Sequence, residues 1–559
     1  MHAGGRLARV LLVAGFGLLL AAWVGSNAPG FGPDEPANFI REVGAGTGQW
    51  TGGPGRLAHP AFGNQPGAPE RIAWINRNSR VYRLPAGLDP GAAGFPCDLF
   101  RNWRSAACLD RPHSHTRPAA THALSYVGTY EPYVYAVPGA AMARTHSALA
   151  ALYTGRAVSA AIVAALLAVA VAAVWEGRAG PVCLAGILLA ASPMVLFMGS
   201  ALGTNGIEIA GAVALFALVL RMGRAGGAPR WTWPAAGVVG ALVALTRATG
   251  PIWVLLAPLV GLALAQGPRR RPPWPRVAWL AVAVVGLGAT AAWERAVQPH
   301  PHPRSDLAVA GLHLLPVDAH SWVRQWVGVF GWASVPMPDY AYRVWWVAVL
   351  LLLLVAVAIG PWRARWGLVV VLAGAVAVAI GLDVLVLRQT RFPVYGRYLL
   401  PLAVLVPLAA GEVLTRRAAR LPAVLVRSIP VALPLLVAAV QLVALWADAR
   451  RHAVGVHGPV WFVGHARWSP PAGWTPWLVL ACAGAACLVG VAAGGLRAWP
   501  ASAAFTPAPR VAEGEGPSYS PKCQAAAPED TPPDPRPTIA HPRPETEPND
   551  DHRQGAERR

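Results

Sequence analysis

Stretches of about twenty apolar residues recur along this chain, and that recurrence leaves few folds open to it. The first runs from Leu7 to Val24, preceded by Arg6 and Arg9. About 20 apolar residues in a helix cross the hydrocarbon core of a bilayer. Inside that core every backbone polar group must be satisfied within the segment, so a helix is the expected form. Twelve stretches qualify: 7–24, 156–175, 181–200, 204–222, 233–247, 250–266, 276–297, 343–360, 366–387, 397–414, 428–447 and 474–495. The expected fold is therefore an all-α polytopic membrane protein with about 12 (11–13) transmembrane helices. Composition agrees: 55% hydrophobic and 13% charged residues over 559 positions is too apolar for a soluble chain. Leu7–Val24 is long for a cleavable signal core and more spans follow it, so it reads as a retained anchor. The stretches 233–247 and 250–266 are short and meet at Thr246-Arg247-Ala248-Thr249-Gly250-Pro251, the pattern of broken or half-crossing helices. Residues 134–152, interrupted by Pro138, Arg144 and His146, read as an interfacial or partly inserted helix.

The chain then divides into a first transmembrane helix at 1–24 and a large extracytoplasmic loop at 25–155 with an acidic motif and the interfacial helix. Helices 2–7 follow at 156–297, a second extracytoplasmic loop at 298–342, helices 8–12 at 343–497 and a tail at 498–559. Arginines support this topology with both termini cytoplasmic. Arg178, Arg221, Arg224, Arg230, Arg269 to Arg271, Arg276, Arg363, Arg365, Arg416, Arg417, Arg420 and Arg427 all fall in inner loops, while the short outer loops are nearly free of basic residues. The one exception on this reading is 388–397. The net charge of +20 is thus a topology signal, not a nucleic-acid footprint, because the basic residues are scattered over many short loops. The tail is rich in Pro, Ala and Glu, with ten acidic against seven basic residues, and is expected to be disordered and cytoplasmic.

Cys97 and Cys108 lie in the first outer loop, where an oxidising compartment would pair them; two free thiols is the other reading. Histidines His113, His115, His122, His300, His302, His313 and His320 fall in the two large loops. The Pro-His-Pro-His-Pro run is extended and irregular, unlike the fixed helical spacing of a metal cage.

The chemistry concentrates just past the first span. Asp34 and Glu35 sit between Pro33 and Pro36, which stiffen the turn. A rigid acid pair at the membrane surface suits general-base or metal work. Asp34 is equally placed to cap a helix starting at Pro36. Acids within spans are costly and need a reason. Glu208, Glu294 and Asp383 fall toward the same face as Asp34, and Glu412 toward the other. They mark a polar cavity or simply snorkel at span ends. In the outer segment 388–398, Arg388, Arg391 and Arg397 beside Tyr398 suit a lipid phosphate, or pair with Asp34, Glu35 or Glu131. Tyr130-Glu131-Pro132-Tyr133 and Phe330-Gly331-Trp332 bring aromatic faces that suit sugar stacking, or anchor at the interface.

These elements together resemble a known pattern. Pro33-Asp34-Glu35-Pro36-Ala37-Asn38-Phe39 after the first span, Glu131 to Tyr135, Ser192-Pro193-Met194, Asn205-Gly206-Ile207-Glu208, Gly331-Trp332 and Gly396 to Pro401 resemble the bacterial multi-pass family called domain of unknown function 2142, over roughly 7–450. That family's usual His is replaced here by Asn38. The family is in turn similar to the C-type membrane glycosyltransferases. The resemblance implies a GT-C-like enzyme of the bacterial plasma membrane that uses a polyprenyl-phosphate-linked sugar at the outer face in cell-envelope glycan synthesis. It implies Asp34 as base with Glu35 in support, and the two as candidate ligands of a divalent ion, Mg or Mn. Arg388, Arg391, Arg397, Tyr398, Glu131, Asn205, Glu208 and Trp332 would bind the donor and substrate. The competing classes are a transporter or flippase of lipid-linked saccharides, which the count of spans also fits, and a non-catalytic envelope-assembly protein.

Overall fold

The structure, a computed structural model, describes residues 3–57, 68–97, 99–110, 120–225, 227–265, 273–298 and 306–497. The tail at 498–559, His113, His115, His300, His302 and Arg269 to Arg271 lie outside the described residues. Among the described residues, nine helices are long and apolar enough to cross a membrane. The pair Gly180–Ala190 and Pro193–Gly199, bent by 67°, adds one if it is a single broken span. Thr232–Ala244 and Gly250–Ala263 are apolar but only 13 and 14 residues long. At ~1.5 Å per residue each covers about 20 Å, too short to cross unaided. The expected count of twelve is reached only if the bent pair and both short helices each count as one.

Burial sorts these helices into a centre and a rim. Asn205–Met222 and Gly396–Arg416 are 78% and 83% buried within the protein, whereas Trp274–Val297 is 17% buried and shows its apolar side chains to lipid. Gly4–Ser26 packs along Thr475–Arg497 and Ala148–Val174, and Asn205–Met222 also packs against Ala148–Val174. The helix Ala148–Val174 orders the two ends of the bundle. Near its start, Arg156 meets the loop that follows the first span. Beyond its end, Glu176 accepts from Arg221 and Arg224, and Glu412 accepts from Arg224 and Arg416. The two clusters are roughly 27 Å apart along the helix.

The first large loop is more structured than its composition suggests. Helix Glu35–Gly46 lies against helix Pro132–Met142, so closely that a Cβ on Gly139 would collide with the Glu42 carbonyl oxygen. Strands Gly53–Pro54, Arg80–Leu84 and Thr121–Ser125 form an antiparallel sheet with Arg80–Leu84 in the middle. Its alternation buries Tyr82 and Leu84, but five residues are too few to stand out in a Gly- and Pro-rich loop. Two boundaries also differ from expectation. Residues 134–152 are not one interfacial helix: Pro132–Met142 ends at a turn, and a new helix starts at Ala148, capped by the Ser147 hydroxyl. The second large loop contains a 23-residue helix, Asp306–Gly328, whose polar residues and Pro316 hid it from a hydropathy reading.

Cys97 and Cys108 form a disulfide with Cα atoms 5.9 Å apart. Its loop ties three other loop segments together: Asn102 donates to the Ser334 carbonyl (2.8 Å), Val456 N–H donates to the Asn102 carbonyl (2.9 Å), and Pro96 packs on Gly30. Closing so short a loop restricts the unfolded chain by ~3 kcal/mol on the chain-entropy model. The double variant Cys97→Ser with Cys108→Ser is expected to lose about that much in denaturant unfolding. Equal stability of the variant and the oxidised protein would refute this.

Candidate functional site

Asp34 opens helix Glu35–Gly46 from a left-handed backbone, φ 57°, and its side chain makes no capping bond. A non-glycine residue in that region is strained and persists only where its surroundings hold it. Glu35 does the holding. Arg156 donates to both its carboxylate oxygens, Nε to Oε1 at 2.7 Å and Nη2 to Oε2 at 2.6 Å. Backbone N–H groups of Gly30 and Gly32 donate to Oε2, and that of Leu202 to Oε1. Arg156 also donates to the carbonyls of Asn27 and Ala28. Both side chains are fully buried. The two neighbouring acids therefore part company: Glu35 is turned into the protein and Asp34 away from it.

The Asp34 carboxylate, 21% accessible, accepts from the Tyr126 hydroxyl at 3.0 Å and from Arg397 Nη2 at 3.3 Å. Burial first, and then Asp34 itself, push the Tyr126 phenol well above its ordinary range, so it stays a neutral donor. Arg397 also donates to the Tyr398 hydroxyl at 3.1 Å and lies over the Tyr395 ring. It is presented by the segment 391–399, which Asp306–Gly328 clamps: Trp322 donates to the Val394 carbonyl, and Gln325 accepts from the Gly396 N–H. Asp383 accepts from the Val394 N–H on the other side.

A second guanidinium stands beside the first. Arg247, at the break between Thr232–Ala244 and Gly250–Ala263, lies over the Tyr398 ring at 4.4 Å. Asn205 accepts from it, and Glu208 faces it at 3.9 Å while accepting from Thr249 and Trp253. Glu131, at the start of Pro132–Met142, is fully buried close to Glu294. Burial, and then the neighbouring Glu294, push its carboxyl up to about 8.

Asp34, Arg397, Tyr398, Asn205 and Glu208 are thus drawn to one place, joined through Arg247. Arg391 is not part of it. Residue 391 ends helix Trp362–Thr390 in a left-handed cap, and its guanidinium pairs with Glu70 at 3.8 Å. Arg388 lies in the last turn of that helix rather than in a loop, and Trp332 meets Phe100 edge-on. A divalent ion does not fit Asp34 and Glu35. One carboxylate is filled by an arginine and three backbone donors, and the other meets a hydroxyl and a cation. Among the described residues no three His, Cys, Asp or Glu side chains converge on a point.

The family described as predicted membrane protein, DUF2142, matches over residues 16–406. The chain belongs to this family. No curated protein and no solved structure matches it. The DUF2142 match begins inside the first helix and ends inside helix Leu400–Arg416, so it contains every residue of the Asp34 cluster. Sequence reasoning passed over three members of the site in this DUF2142 protein: Tyr126, Arg156 and Arg247. Tyr126 carried no signal, since nothing local marks it, whereas Arg156 is a charge at the start of the stretch 156–175. Arg247 carried a signal too. On the inferred topology it also faces outward, a second exception to the arginine pattern alongside 388–397.

The shifted Glu131 gives a pH test. Its folded value is raised, so the folded protein keeps a proton that the unfolded chain releases. Stability should fall as pH rises above the ordinary carboxyl range, and the penalty should be complete above about 8. Glu131→Gln keeps the size of the side chain and needs no proton. Across pH 5 to 9, wild-type Tm is expected to fall relative to the variant; parallel curves would reject the assignment.

Proposed function

We propose that this protein is a membrane glycosyltransferase, using a polyprenyl-phosphate-linked sugar at the outer face of a bacterial plasma membrane. The observation that carries the reading is the Asp34 carboxylate. It is held in a strained backbone by a buried ion pair, spared from capping, and turned to accessible space beside a tyrosine hydroxyl and an arginine. Strain and burial on that scale persist where function requires them.

The reaction would be a single displacement with inversion. The acceptor hydroxyl attacks the sugar's anomeric carbon as the bond to the lipid phosphate breaks. Asp34 takes the hydroxyl proton, and the polyprenyl phosphate leaves with the bonding electrons. Arg397 stabilises the charge growing on that phosphate. In the ground state the Asp34 carboxylate pairs with Arg397, and a phosphate competing for the arginine would release it to act as base. Glu35 is assigned to holding Asp34 in place, and no step passes through a metal. The arginine-rich opposite end of the bundle supports a cytoplasmic assignment for that end and an outer one for Asp34. Comparing polyprenyl-linked and envelope glycans by mass spectrometry, with and without the protein, tests the reading; identical glycans would end it.

A second reading, a flippase for lipid-linked saccharides, draws on the bent pair at 180–199 and the two short helices, since broken helices are common in transporters. Glycan composition unchanged but stranded on the inner face would favour it.

A further inference from the structure

We propose that a phosphate-bearing ligand is held between two arginines, Arg247 and Arg397, across the ring of Tyr398. This rests on the reading above for the arrival of a phosphate at Arg397, but not on any sugar transfer. Arg247 comes from the break between two short apolar helices, and Arg397 from the turn that precedes Leu400–Arg416. They are 150 residues apart in the chain, yet their guanidinium carbons lie 4.4 and 4.8 Å from the same ring centroid.

Two like charges on one aromatic ring, in surroundings that exclude water, repel unless anions balance them. Asp34 and Glu208 do so partly. Asp34 meets only one nitrogen of Arg397, at 3.3 Å, and Glu208 stands 3.9 Å from Arg247, beyond hydrogen-bond range. Arg397 Nε is buried with no hydrogen-bond partner, on a side chain only 6% accessible. A buried guanidinium donor left unmet is costly and marks a missing acceptor. Phosphate fits the gap better than a carboxylate does. Its oxygens accept from two guanidinium forks at once, whereas a carboxylate presents one edge. The Tyr398 ring is common to both arginines, and its hydroxyl is already engaged by Arg397. Arg391, paired with Glu70, takes no part.

The test measures binding, not turnover. Purified protein in detergent is titrated with a long-chain polyprenyl monophosphate, with the matching polyprenol, and with inorganic phosphate, and read by native mass spectrometry. The polyprenyl phosphate is expected to bind, with Arg247→Gln and Arg397→Gln each weakening it at least tenfold and Arg391→Gln leaving it within twofold. Arg247→Lys keeps the charge beside Glu208 but loses the fork, so it covers the case in which Arg247→Gln does not fold. A several-fold loss is expected from it. Inorganic phosphate binding as tightly alone, with the same dependence on both arginines, would assign the site to a free anion. Competition only at far higher concentration would assign it to a lipid headgroup. The proposal is overturned if polyprenol binds as well as its phosphate, or if neither Arg247 variant alters affinity. Binding that survives without any glycosyl transfer would leave this site standing and remove the transferase reading.

Discussion

Asp34→Asn is expected to lower glycosyl transfer by about 10²–10⁴-fold while the protein still inserts and folds. The amide keeps the size of the carboxylate and its contact with the Tyr126 hydroxyl, but it takes no proton from an acceptor. It also removes the negative partner of Arg397, so lipid-phosphate binding should hold or improve as transfer fails. That split, binding kept and chemistry lost, separates a base from a residue that merely shapes the site. The measurement pairs transfer from a polyprenyl-phosphate sugar with size-exclusion behaviour in detergent. Full activity in the variant would remove Asp34 from the mechanism.

Glu35→Ala should do something different. Here the expected result is loss of the folded protein, because the change strands the Arg156 guanidinium in a fully buried site. Breaking one side of a buried ion pair costs about 3–5 kcal/mol. Three backbone donors lose their acceptor as well. Thermal unfolding of Glu35→Ala and of Arg156→Met should show large, similar losses. The double variant should lose less than their sum, because the two residues share one interaction. A Glu35→Ala protein with unchanged stability and no transfer would return Glu35 to the chemistry and overturn its role as a support. The contrast between the two neighbouring acids is therefore the sharpest experimental handle on this protein: one should abolish a reaction and the other a fold.

How far the chain's own letters reach varies along it. The Pro-bracketed acids, Glu208 and Arg397 stand out because a charge near a span is costly wherever it falls, and that cost is readable without a partner. Arg391 stood out for the same reason, yet its guanidinium is spent on Glu70. Residue type in a loop gives the capacity for phosphate binding but not the direction of the side chain. The short strand Arg80–Leu84 and the helix Asp306–Gly328 stayed hidden because neither has the length or apolarity that a bilayer demands. They are shaped instead by what they pack against.

Hydropathy alone determined that this chain is a bundle of apolar helices, because the need to satisfy backbone hydrogen bonds in lipid acts on each stretch of about twenty residues by itself. Tertiary structure alone decided which carboxylate is free. Glu35 meets an arginine 121 positions away and Asp34 one 363 positions away. A side chain's chemistry depends on the charges and donors within a few ångströms of it, and only the folded chain brings those together.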